Sequence, residues 1–131
     1  MKFQPAQFGS ALTSYGSGWI AVAGERIDRS VVLHSTGERT DWRCSRFDEL
    51  SDAHFAPLAA HKPELVVFGS GAATRFPRPA WIRALIEAGI GVEAMDTGAA
   101  CRTYNILAGE GRRVIAALLL EPGEESQDGL K

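Results

Sequence analysis

The stretch ELVVFGSGAATRFPRPAWIRALIEAGIGVEAMDTGAACRTYNILAGEGRRVIAALLL, residues 64–120, decides the fold. Residues 64–69 form a short β-rich apolar run that reads as a buried strand. Pro79 then sits where a helix starts, and Trp81, Ile82, Leu85 and Ile86 form its apolar face. Arg83 and Glu87, four apart, share the opposite face, and Ala88-Gly89 marks the stop. Residues 91–95 read as a second strand, followed by a helix from about residue 98 to 108 with Gly109 and Gly111 at its exit. Residues 113–120 are the most apolar run and read as a central strand buried on both faces. The order is therefore β-α-β-α-β. Strands joined through helices are normally parallel with right-handed crossovers. The tight Gly109-Glu-Gly111 connection leaves the direction of the last strand open.

Upstream, the chain reads differently. Residues 1–18 are rich in Gly, Ser and Gln and are expected to be an arm anchored by Phe3, Phe8 and Tyr15. Residues 19–23 and 30–34 are expected to pair as a hairpin about residues 24–28. Gly37 turns the chain into a third run, residues 40–45. There Trp42 and Cys44 alternate with Asp41, Arg43 and Ser45. Ser51 is placed to cap a helical turn. Pro57 would clash inside a continuous helix, so the helix is expected to restart there and end at Pro63. Residues 121–131 are expected to be a disordered acidic tail. The fold class is α/β, a single compact domain of residues 1–120. Its mixed sheet joins antiparallel N-terminal strands to the β-α-β-α-β half and packs against helices.

Composition excludes several classes. A chain of 131 residues is one domain long. Its formal charge of −2 gives no basic face for nucleic acid. Glu121, Glu124, Glu125 and Asp128 stand against Lys131 alone in the tail, leaving 12 acids and 13 bases among residues 1–120. Eleven of the 14 basic residues are Arg, the better fork for planar anions. Cys44 and Cys101 form no CxxC, and His34, His54 and His61 show no ligand spacing, so neither a metal nor a cofactor is expected. The longest aliphatic run, residues 114–120, is far short of the roughly 20 residues of a membrane span. The N-terminus Met1-Lys-Phe-Gln-Pro-Ala-Gln-Phe lacks the apolar core of a signal peptide, and a reducing, cytoplasmic setting is expected.

Two loops leave the C-terminal ends of the strands at 64–69 and 91–95, the edge where open α/β sheets bind ligands. In the first, Gly69, Ser70 and Gly71 are candidate backbone donors to an anion, with Thr74 and Arg75 adding a hydroxyl and a guanidinium. It is neither a P-loop nor a complete dinucleotide fingerprint. In the second, Thr97 is a candidate N-cap, and Asp96 is a candidate cap or arginine partner. Thr97, Cys101 and Asn105 fall on one helical face beside Arg102. The leading expectation is a non-enzymatic binding or assembly-type protein with a small anion-binding cleft between the loops. Arg75 and Arg102 would supply its charge. An alternative is a thiol-dependent enzyme on a small anionic substrate, with Cys101 as nucleophile and Asp96 or Tyr104 in proton transfer. Another is a protein-interaction module using the apolar arm or the first hairpin.

The blocks Leu65-Val-Val-Phe-Gly-Ser-Gly-Ala-Ala-Thr-Arg-Phe-Pro and Met95-Asp-Thr-Gly-Ala-Ala-Cys-Arg-Thr-Tyr-Asn resemble a widespread family of small proteins of unknown function. Its eukaryotic relatives include mitochondrial respiratory complex I assembly factor 3. The resemblance runs from about Tyr15 to Leu120. It implies a compact α/β fold with a mixed sheet and no established enzymatic activity. It carries no catalytic residue onto this chain, and a complex I role is not expected in the absence of an organelle presequence.

Overall fold

A computed structural model of the chain describes residues 12–122. Two sheets are present among them. A three-stranded antiparallel meander comprises β1 (Leu12–Gly16), β2 (Trp19–Val22) and β3 (Glu25–Ile27), in that order. A five-stranded sheet contains β4 (Val31–His34), β5 (Arg39–Asp41), β6 (Leu65–Gly69), β7 (Gly91–Met95) and β8 (Val114–Leu118), ordered β5-β4-β8-β6-β7. The helices are α1 (Asp52–Phe55), α2 (Arg83–Glu87) and α3 (Thr97–Gly109). Short 3₁₀ turns cover Phe47–Glu49, Ala56–His61 and Pro79–Ile82.

The last strand is settled by its pairings. β8 runs parallel to β6 and antiparallel to β4. The chain steps from β6 outward to β7, then back across β6 to β8. Leu85 of α2 belongs to the core on one sheet face, and Cys101 and Tyr104 of α3 to the core on the other. Reversing the step and changing face together preserve one crossover hand. α3 crosses the length of the sheet, so the tight turn through Gly111 (φ 83°) only has to feed β8.

Strand alternation divides the interior. Val67, Val114, Ala116 and Leu118 face the meander and α3, while Val66, Phe68, Ile115 and Ala117 face α1, α2 and the 3₁₀ turns. The second core is aromatic: the rings of Trp42, Phe55 and Phe68 meet edge to face with centroids 5.4–5.9 Å apart.

The N-terminal third differs from the sequence reading in three ways. Residues 12–16 of the expected arm are strand β1; Phe3 and Phe8 lie outside the described residues. The expected hairpin of 19–23 with 30–34 does not form, because Ala23 (φ 52°) and Gly24 (φ 85°) make a tight left-handed turn straight into β3. β4 is buried at all four positions, which suits an interior strand, and it joins the larger sheet. Ile86, placed on the apolar face of the helix at 79–89, is instead 59% exposed. The first turn there is 3₁₀, at three residues per turn, and it shifts the phase of α2. The expected strand run 40–45 is strand only over Arg39–Asp41, and Trp42 and Cys44, beyond it, are both buried in the second core. Ser51 caps α1 by accepting from Ala53 N–H, and Pro57 opens the 3₁₀ turn. Among the described residues no helix is long and apolar enough to cross a membrane.

Candidate functional site

The two glycine-containing loops do meet at the C-terminal edge of β6 and β7, but they meet each other. Gly69 leaves no room for a side chain, since an added Cβ would lie 3.0 Å from Thr97 Cα. Beyond it, Ser70 is fully buried. Its N–H donates to Met95 O at 2.9 Å, its hydroxyl donates to Ala73 O at 2.8 Å, and its Oγ accepts from Arg75 N–H at 2.8 Å. Gly71 (φ 101°) donates its N–H to Thr97 Oγ1 and accepts from Thr97 N–H, both at 2.9 Å. The Thr97 hydroxyl then donates to Leu119 O at 2.9 Å. The N–H groups expected to cradle an outside anion are consumed within the protein. Thr74 is exposed on the rim.

The Arg75 guanidinium is engaged in the same way. It donates to Ser70 O through Nε (3.2 Å) and Nη2 (2.6 Å), and it lies over the Phe47 ring at 4.6 Å. Its anion is Glu121, at 2.6 Å from Nη2, whose other carboxylate oxygen accepts from Phe47 N–H at 2.9 Å. Glu121 does not belong to a disordered tail, contrary to the sequence expectation; its side chain is only 17% exposed and latches the first loop. The anion pocket inferred around Arg75 thus holds a carboxylate of this chain.

At the second loop, Asp96 rather than Thr97 is the N-cap of α3, accepting from Ala99 N–H at 2.9 Å. Thr97 is the first helical residue, which frees its hydroxyl to bridge Gly71 and Leu119. Cys101 and Tyr104 are fully buried, and burial pushes the Cys101 thiol up to about 12, outweighing the opposing pull of Arg102. Neither group reaches solvent in this arrangement, so the thiol-nucleophile reading lacks both access and thiolate. Asn105 exchanges two hydrogen bonds with the Leu12 backbone, at 3.0 and 2.8 Å, and ties β1 to α3. Arg102 donates to the Tyr15 hydroxyl and lies 5.9 Å from that ring.

The two arginines consequently do not converge. Arg75 packs on Phe47, at the face of α1 and α2, and Arg102 packs on Tyr15, at the face of the meander. A cleft of about 330 Å³ does exist beside the second loop, between the Tyr15–Gly18 turn, Gly71 and Asp96–Gly98. Asp96 lines it and Arg75 does not. Among the described residues no group of three or more His, Cys, Asp or Glu is arranged to hold a metal ion. The feature that sequence reading passed over is the segment after the loop. Phe76, followed by Pro77, Arg78 and Pro79, is 74% exposed. Each of Phe76 and Arg78 precedes a proline and is restricted to extended backbone, as Arg78 (φ −66°, ψ 141°) is. The alternating prolines were the available signal.

This fold and chain match the family model described as protein of unknown function DUF498/DUF598 over residues 12–119. The chain belongs to that family. It is similar to bovine NADH dehydrogenase [ubiquinone] 1 alpha subcomplex assembly factor 3, at 33% identity over 86% of this chain. It spans 61% of the length of that curated relative. Its fold is that of a Bordetella parapertussis protein of known crystal structure (TM-score 0.80, 39% identity, 89% of this chain and 100% of the other). A Bordetella pertussis protein solved in solution and described as a Mth938-like domain is also similar (TM-score 0.77, 33% identity, 92% of each chain).

Proposed function

We propose that this family member is a non-enzymatic binding protein of the assembly type, which docks a protein partner through the Phe76–Pro79 segment. The observation that carries it is the rigid outward presentation of Phe76, 74% exposed beside exposed Arg78. Aromatic and Arg side chains are the residues that anchor protein interfaces. The closed loop behind them and the two prolines keep the ordering cost of docking small. Arg78 is also supported from below, with its guanidinium 5.7 Å from the Trp81 ring. The names of the assembly-factor relatives support a partner-binding role.

A photo-crosslinking side chain in place of Phe76 tests this in cells of the source organism. The expected result is one discrete protein adduct, lost in Arg78→Glu and absent when the crosslinker replaces Glu110 at the far end of α3. Adducts of equal pattern at positions 76 and 110, or none at 76, would overturn the proposal.

A further inference from the structure

We infer that a second surface, the β5 edge of the five-stranded sheet, accepts an extended peptide segment of a partner protein as an added strand. β5 is terminal in the sheet order, so among the described residues one side of it is unpaired. The register shows which groups that side offers. Trp42 N–H bonds Ser30 O, and His34 N–H bonds Glu38 O, so the alternate residues 38, 40 and 42 face inward to β4. The N–H and C=O groups of Arg39 and Asp41 therefore point outward. Their side chains do not obstruct the edge. They lean to the meander face, where Arg39 pairs with Glu25 at 2.9 Å and Asp41 with Arg29 at 3.5 Å.

On the other sheet face a groove of about 410 Å³ runs beside this edge, lined by Thr40, Trp42, Ala53, Pro57 and Leu58 among others. Its existence follows from the sequence. Pro57 stops α1 after one turn, and Ala53 has no bulk to fill the space above Trp42 and Leu58. The wall is fixed, because Trp42 Nε1 donates to His54 O at 3.0 Å and His54 Nε2 meets Arg43 O at 2.9 Å. An open strand edge beside an apolar groove is the arrangement that captures extended peptides: backbone bonds hold the strand and the groove reads alternate side chains.

The occupant has a defined chemistry. Its groove-facing residues are apolar, and the alternate residues are charged to meet the Arg39, Glu25, Asp41 and Arg29 lattice. A carboxylate near the groove meets Arg43, which also lines it and has no ion-pair partner among the described residues. A second copy of this chain fits less well. Two β5 strands would abut over only three residues, about 10 Å of strand, and would leave the groove empty.

A random octapeptide phage library selected on the whole protein supplies the probe, and the enriched peptides are titrated into isotope-labelled protein by NMR. Shifts are expected at residues 39–43 and 53–61. Asp41→Pro removes an outward donor without breaking a bond to β4, and Ala53→Arg fills the groove from an exposed position. Each should weaken binding by about tenfold or more, roughly 1.4 kcal/mol, while Phe76→Ala leaves it unchanged. No enrichment, shifts elsewhere, or undiminished binding by both variants would overturn the inference. A dimer of the protein alone with shifts at the same residues would also overturn it, in favour of a second copy.

Discussion

Thr97→Val isolates the bond that closes the two loops. Valine keeps the shape of threonine but neither donates nor accepts, so Gly71 N–H and Leu119 C=O lose their partner inside a buried seam. Each orphaned group costs about 1–3 kcal/mol, and together they should lower stability by about 2–6 kcal/mol. For a domain of this size, Tm falls by about 4 °C per kcal/mol, giving a drop of roughly 8–24 °C. Thr97→Ser is the control. It keeps the hydroxyl and removes one methyl group, at about 1 kcal/mol. Urea denaturation followed by circular dichroism measures both. The slope with denaturant should match wild type, because the folded shape is unchanged. If the valine variant were as stable as the serine variant, the hydroxyl would not be the closure and the account of the site would fail.

Three further outcomes are expected. Burial pushes both Cys44 and Cys101 up to about 12, so a thiol-disulfide reagent at pH 8 should label them only as fast as the protein unfolds; rapid labelling of native protein would refute this. His34 is held below its ordinary value of 6.5 by burial first and then by His61, against an opposing pull from Glu38. The unfolded chain therefore binds that proton more readily, and stability is full above pH 6.5 and falls as pH drops through the lower folded value. His34→Asn should flatten that slope, and an unchanged pH profile would refute the assignment. Gly71→Ala puts a Cβ 2.6 Å from Glu121 Oε1 at φ 101°, costing about 1–2 kcal/mol from backbone alone. The same Cβ would stand 2.7 Å from Arg75 Nη2, so the Arg75–Glu121 pair must also shift; urea denaturation should show the loss, and wild-type stability would refute it.

The second half of the chain was legible because its signals are local. The buried strand at 64–69, the half-exposed edge strand at 91–95, the proline and glycine punctuation and the long helix each occupy a single window. The first third was not. β2 and β4 have similar composition, and only the left-handed conformation at Ala23 and Gly24 sends them to different sheets. At the candidate site, residue types and loop positions were readable, and Ser70, Thr97 and Asn105 do make decisive hydrogen bonds. Their partners were not readable, because they are backbone groups of Met95, Leu119 and Leu12 brought in by tertiary contact. Glu121 was least accessible of all. One carboxylate beyond a central strand carries no pattern until Arg75 and Phe47 are placed around it.

The position of β8 sets the order in which this molecule can be assembled during translation. β8 is synthesised after the other described strands, yet it lies between β4 and β6 and bonds to both. Until it emerges from the ribosome, the β4–β5 hairpin and the β6–β7 pair are separate half-sheets with unsatisfied inner edges. A nascent chain stalled before residue 114 therefore presents two adhesive borders to its surroundings. Chaperone dependence should be concentrated in that interval and end when the last strand inserts.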